Sequence, residues 1–551
     1  MPCGNRPGHH VCDAGRFQRR RHAPQDAQLI IHGRRERRYH GTISAFRLAV
    51  ALAVAAVIGA CHTTPRPNTN AVGPAVPTGP ARPALQHDID DILAAPALER
   101  GYWGVLVKSL KTGETLYARN AQKLMMPASN MKIVTLAAAA ERLGWDYTYE
   151  TQLFGAGPID DGVLDGDLLV VGSGDPSLGV ADGVSARVFD DWAERLETLG
   201  VRAIRGRVIG DDNAFDDEEL GFGWSWDDLP DDYAAGVSAL QFNENAARIT
   251  VKPGAHEGDA AWVDLAPAGT GLAIDNRLRT GAADAPTSIA ARRLPGSSRL
   301  ELRGSIPVNV APATRVVSVD NPTLFAVSAL RDALIARGID IRGPAVDVDD
   351  IANPPKRSDG VLLVSYRSPP LSILAVRLMK MSQNLYAETL LKTLGVRPVA
   401  DTCPTPCGAS TADGRANVQA TLQTWGVPNE SMIQRDGSGL SRYDYVTPDA
   451  LVTILAHVDR DDRLRQPFEA SLPIAGRDGT LANRMKGTTA EGNARAKTGS
   501  MSNVRALSGY VTSADGDPLV FSIIANNFET TADVVNRATD AIVVRLAQFT
   551  R

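Results

Sequence analysis

Apolar and polar positions alternate in several rhythms along this chain, and each rhythm predicts a different element. A short amphipathic helix is expected over 85–95 (LQHDIDDILAA), followed by two strand-like runs, YWGVLVKSL at 102–110 and ETLYARN at 114–120. Between them Lys111-Thr112-Gly113 reads as a hairpin turn in which Gly113 is free to take positive φ. An apolar helix rich in Ala, Ile, Val and Leu then spans about 128–143. Short strands broken by Gly, Asp and Pro follow, as in GVLDGDLLVVGSGDPSL (162–178), AIRGRVIGDDNAF (203–215) and IDIRGPAVDV (339–348). We read residues 146–360 as inserted material. Helical periodicity resumes at 371–381 and 385–395. Two strands at 505–513 and 518–527 flank the turn ADGD, and a helix over 531–549 ends the chain. One sheet closed by both chain ends, with helices beside it, makes residues 85–145 and 361–551 a single α/β domain.

The N-terminal part reads differently. FRLAVALAVAAVIGA (46–60) is apolar but shorter than the roughly 18 residues a spanning helix needs, so it reads as an export signal. VIGAC resembles a bacterial lipoprotein signal, with Cys61 becoming the lipidated N-terminus; a soluble-export signal or a short anchor is the alternative. The Arg-rich tract before it is too long for a signal's charged region, and the true start is expected nearer residue 43. Residues 62–84 carry six prolines and read as a stiff, solvated tether.

Charge narrows the partners. Residues 1–60 hold ten Arg and three acidic residues, so a total of −5 leaves the rest of the chain at about −12. An acidic body disfavours nucleic acid. The histidines after Cys61 (His62, His87, His256, His457) are too scattered for a metal site or a Ser-His-Asp triad. Cys403 and Cys407 lack partner ligands and read as a local disulfide. No cofactor is called for.

Candidate chemistry lies in three short motifs. In PASNMK, Ser129 and Lys132 stand three apart at a helix start and share one face. A lysine can deprotonate a serine only when neutral, which burial or a neighbouring cation promotes. Alone, the pair reads equally as an N-capping serine with a surface lysine. Ser382-Gln383-Asn384 is a polar break between two helical runs, ordinarily just a turn. Lys497-Thr498-Gly499 opens a strand, where Gly would let a substrate backbone lie along the sheet edge and Lys and Thr could hold a carboxylate. Together and in this order the three point to serine acyl-transfer chemistry.

These motifs, with the 253-residue interval between Ser129 and Ser382, DGSGLSR (436–442), LPIAGRDGTL (472–481) and AKTGSMSNVRALSGY (496–510), resemble the low-molecular-mass class C penicillin-binding proteins, the D-alanyl-D-alanine carboxypeptidase/endopeptidase family. The resemblance spans 85–551. It implies a serine β-lactamase/transpeptidase-like sheet with flanking helices, plus strand-rich inserted domains. It further implies peptidoglycan stem peptides and β-lactams as ligands and a periplasmic location. Ser129 is then the nucleophile, Lys132 its base and Ser382 a proton relay. Asn384 holds the peptide amide, Lys497 and Thr498 the substrate carboxylate, and Lys497 keeps Lys132 neutral by repulsion. The backbone N–H groups of Ser129 and Ser500 form the oxyanion hole. GWSWDDL (223–229) resembles a family segment whose acidic residue, here Asp228, meets a substrate amine; two core Trp with a solvated acidic pair is the alternative. Ser502 stands where the family often has glutamine, and Arg442 is a candidate cleft residue. A β-lactamase of class A type would need a Glu-x-x-Leu-Asn pattern, which the chain lacks. The non-enzyme alternative is a catalytically silent wall-binding protein of the same fold.

Overall fold

The computed structural model describes residues 81–180, 187–396 and 408–551. Cys61, Cys403, Cys407 and the export signal lie outside them. The first helix, α1 (Ala81–Leu93), begins inside the stretch read as tether. Pro83 sits in its first turn, where a missing N–H costs nothing. Strands β1 (Tyr102–Ser109) and β2 (Thr115–Arg119) form the expected hairpin. A 3-10 turn, Ala128–Asn130, then leads into α2 (Met131–Leu143), buried from Met131 to Ala140.

Residues 150–367 build two further bodies. Strands β3 (Glu150–Ala156), β4 (Asp167–Val171) and β5 (Val208–Asp211) belong to one five-stranded sheet. Two helices of this part escaped the sequence reading: α3 (Val188–Thr198) packs with α4 (Pro322–Ala336) against that sheet. The second was legible in principle, since α4 opens with Pro322 and its N-cap Asn321 accepts from Leu324 N at 2.6 Å. Between them two three-stranded sheets enclose a separate small core. Strands β6 (Ala246–Lys252), β7 (Trp262–Ala266) and β11 (Ala313–Ser318) form one, and β8 (Ala273–Gly281), β9 (Ser288–Arg292) and β10 (Arg299–Pro307) the other.

The chain then returns through α5 (Leu371–Lys380) and α6 (Asn384–Thr393) to three last strands, β12 (Arg495–Met501), β13 (Val504–Thr512) and β14 (Pro518–Asn526). These join the first hairpin in one antiparallel sheet of order β2-β1-β14-β13-β12. Its strands are apolar on both faces because both are covered. Leu106, Ala506, Tyr510 and Ile524 face the helix Pro448–Arg460, in a core shared with α2, α5 and α6, while Val105, Val107, Leu507 and Phe521 face α1 and the last helix. β12 is an edge strand, so Lys497–Ser500 lie at the sheet's rim beside the start of α2.

Candidate active site

Two glycines let the Ser129 turn sit where it does. Ala128, buried and at φ +46°, bends the chain so that Ser129 stands at the mouth of a cleft. A Cβ on Gly439 would lie 1.9 Å from Ala128 O, and one on Gly499 would lie 2.5 Å from Pro127 O. Only residues without a side chain allow that approach. Gly499 is thus required by the Ser129 turn packed on it. Asn130 Nδ2 donates to Lys497 O at 3.0 Å and ties that turn to β12.

Lys132 is fully buried. Its Nζ stands 2.9 Å from Ser129 Oγ, 2.6 Å from Asn384 Oδ1 and 3.0 Å from Ser438 O. Two of these partners can only accept, so a neutral amine spends its two hydrogens on them and turns its lone pair to the serine hydroxyl. Burial pulls the Lys132 pKa down to about 7, against the opposing pull of Glu388 and Asp436. Lys497, equally buried, donates to Ser382 Oγ at 2.8 Å and to Thr498 O at 2.9 Å. Burial and the nearby Lys132 hold its pKa well below the usual lysine value. Burial is the leading cause on both lysines, and repulsion between their charges disfavours both being protonated at once.

Below the lysines lies a carboxyl cluster that sequence reasoning missed. Glu388, one helical turn beyond Asn384, accepts from Gly437 N and Ser438 N, both at 2.8 Å, and so aims the Ser438 carbonyl at Lys132. Asp436 accepts from Gly439 N at 2.7 Å, Ser441 N at 2.6 Å and Trp224 Nε1 at 2.9 Å. Burial and the Asp436 charge push Glu388 above the usual carboxyl range and Asp444 well above it. The available signal was one acidic residue inside the apolar run LYAETLL.

The cleft, of about 350 Å³, is lined by Ser129, Ser382, Asn384, Thr498 and Ser500, and by Asp228 and Tyr233 from the inserted part. Asn384 Nδ2 donates to Tyr233 O at 2.7 Å, which leaves one amide hydrogen for a ligand. The Tyr233 hydroxyl donates to Asp228 Oδ1 at 2.8 Å. Trp224 is bonded to Asp436 as above, while Trp226 is 56% exposed, so only one of the two Trp of GWSWDDL packs inward. At the far wall Thr498 Oγ1 donates to Thr480 Oγ1 at 2.8 Å. Because Lys497 is buried behind Ser382, Thr498 and Thr480 are the hydroxyls that face this end of the cleft. Arg442 reaches Ser502 O at 3.3 Å across the opening.

Residues 85–549 match the profile of the D-Ala-D-Ala carboxypeptidase 3 (S13) family. The chain is 39% identical, over 84% of its length and 85% of the relative's, to a D-alanyl-D-alanine carboxypeptidase of Actinomadura sp. (strain R39). It is 27% identical to the D-alanyl-D-alanine carboxypeptidase DacB of Haemophilus influenzae, over 78% of this chain and 86% of that one. The crystal structure of penicillin binding protein 4 (dacB) from Haemophilus influenzae superposes with a TM-score of 0.73 at 25% identity, covering 84% of this chain and 99% of that chain. With its motifs converging on one cleft and its family profile matched over nearly all the described residues, this chain belongs to the S13 D-Ala-D-Ala carboxypeptidase family, the low-molecular-mass class C penicillin-binding proteins.

Proposed function

We propose that this serine peptidase cleaves D-alanyl-D-alanine and D,D-cross-links of peptidoglycan stem peptides through an acyl-enzyme, and that penicillin acylates the same serine. The observation that carries the reading is a fully buried Lys132, its pKa brought down to about 7, with Nζ 2.9 Å from Ser129 Oγ. Ser129 Oγ attacks the carbonyl carbon and its proton passes to Lys132 Nζ. The Ser129 and Ser500 backbone N–H groups hold the oxyanion. As the C–N bond breaks, Ser382 Oγ gives its proton to the departing amine and Lys497 resupplies it. Thr498 and Thr480 hold the substrate carboxylate with the Lys497 charge behind them. Asn384 orients the peptide amide with its remaining hydrogen, and Asp228 meets a side-chain amine. Water then attacks the ester carbonyl, its proton passing through Ser382 to Lys497, and as the C–O bond breaks Lys132 returns its proton to Ser129 Oγ.

Residues 85–145 and 368–551 serve as the catalytic domain and the inserted part supplies one cleft wall; the insertion runs past the expected residue 360 because the strand Val361–Arg367 pairs with β3. The VIGAC stretch supports a periplasmic enzyme held by a lipid on Cys61; a mature protein retaining residues upstream of Cys61 would overturn the anchor. Incubation with labelled penicillin tests the central claim. A covalent adduct is expected on Ser129 and none in Ser129→Ala, and a wild-type protein that takes up no label sinks the peptidase reading.

A further inference from the structure

A second concave surface, of about 420 Å³, adjoins the catalytic cleft on the inserted part and is lined by arginines and Trp226. Trp226 lies between Ser225 and Asp228, both of which line the cleft, so the two surfaces share one chain segment. The buried Arg293 fastens that segment to the neighbouring sheet, donating to Leu229 O at 2.9 Å and to Asp320 at 2.8 Å.

The outer face of the sheet β8-β10-β9 carries four exposed guanidinium groups. Strand register sets Arg277 of β8 directly opposite Arg303 of β10, and Arg292 of β9 opposite Glu301. Like charges placed across a ladder destabilise it unless an anion intervenes. Two carboxylates only partly answer them: Asp275 pairs with Arg277 at 2.9 Å and Arg299 at 2.6 Å, and Glu301 with Arg277 at 3.1 Å and Arg303 at 2.6 Å. Arg292 joins none of these pairs. Beside them Trp226 and Leu294 are 56% and 64% exposed, a large apolar area to leave in water. Residues 61–551 carry a net charge of about −12, whereas this face holds more guanidinium than carboxylate groups and complements a ligand rich in carboxylates.

We infer that this face is an accessory subsite for polymeric substrate, binding the free carboxylates of a second, uncleaved stem peptide while Trp226 covers an apolar face of it. The inference rests on the peptidase reading above. Arg292, Arg299 and Arg303 supply fixed, fork-shaped donors that suit carboxylate. A substrate too short to reach the subsite gains nothing from it. The subsite therefore raises affinity for wall polymer without changing the chemistry at Ser129.

The test compares wild-type protein with Trp226→Ala and with the double variant Arg292→Glu, Arg299→Glu, all changes at exposed positions. Three readouts are taken: labelling by penicillin, hydrolysis of a diacetylated tripeptide ending in D-Ala-D-Ala, and co-sedimentation of the penicillin-acylated protein with cross-linked sacculi. Labelling and tripeptide hydrolysis are expected within twofold of wild type. Binding to sacculi is expected to fall about tenfold, as for loss of one charge-assisted hydrogen bond. Wild-type binding should fall likewise on sacculi stripped of their stem peptides. Unchanged sacculus binding in the variants, equal losses on the tripeptide, or full binding to stripped glycan each overturns the subsite alone. Failure of wild-type labelling overturns the peptidase reading and the subsite with it.

Discussion

The same tripeptide, Lys-Thr-Gly, occurs twice in this chain and does two unrelated things. At Lys111–Gly113 all three residues are exposed and close the β1–β2 hairpin. Thr112 Oγ1 accepts from Glu114 N at 3.2 Å, and Gly113, at φ +74°, has open space around it. At Lys497–Gly499 the lysine is fully buried on Ser382, and the glycine is pressed against Pro127 O. In the first copy glycine answers a backbone angle, whereas in the second it answers a close approach. Lysine is a solvated charge in one and an amine of altered basicity in the other. Identity of residues therefore carries no chemistry until the surroundings are added.

Parallel substitutions in the two copies give the largest expected contrast. Lys497→Met should slow penicillin acylation about 10³-fold, within the span for loss of a proton-transfer group, while Lys111→Met stays within about twofold. Stopped-flow labelling measures both, and equal rates in the two variants would erase the distinction. A smaller effect concerns pH. Because Lys132 acts when neutral and its pKa is brought to about 7, acylation should rise with pH through that value. Asp436 raises the Lys132 pKa, so Asp436→Asn should move this limb to lower pH, and a shift upward would contradict the assignment. The smallest effects belong to the glycines. Gly499→Ala must displace Pro127 O and should cost about 1–3 kcal/mol in urea unfolding, with slower acylation. Gly113→Ala meets only its positive φ and should cost about 1 kcal/mol with acylation unchanged.

Much of this was legible in the sequence because it is local. The terminal hairpin, the two last strands and the α5–α6 break at Ser382 follow from short-range periodicity and turn chemistry. The i, i+3 spacing of Ser129 and Lys132 put both on one face before any fold was known. Other features escaped because they depend on distant partners. Glu388 looked like one polar residue in an apolar helix, and its work is to hold the 437–438 backbone. Thr480 gains its place only when the segment after Asp478 meets β12. Tyr233 gains its place by offering a carbonyl to Asn384 across 151 residues.

Alone, the sequence determined the strand and helix pattern, the order of three motifs and hence the family, since each depends on residues a few positions apart. Motif order already set Lys497-Thr498-Gly499 apart from the hairpin copy; tertiary structure decided why Gly499 has no side chain and what lowers the Lys132 pKa. A pKa responds to the water excluded and the charges gathered around one atom. Here those come from Asn384, Glu388, Asp436 and Ser438, more than 250 residues away along the chain but packed around Lys132 in space.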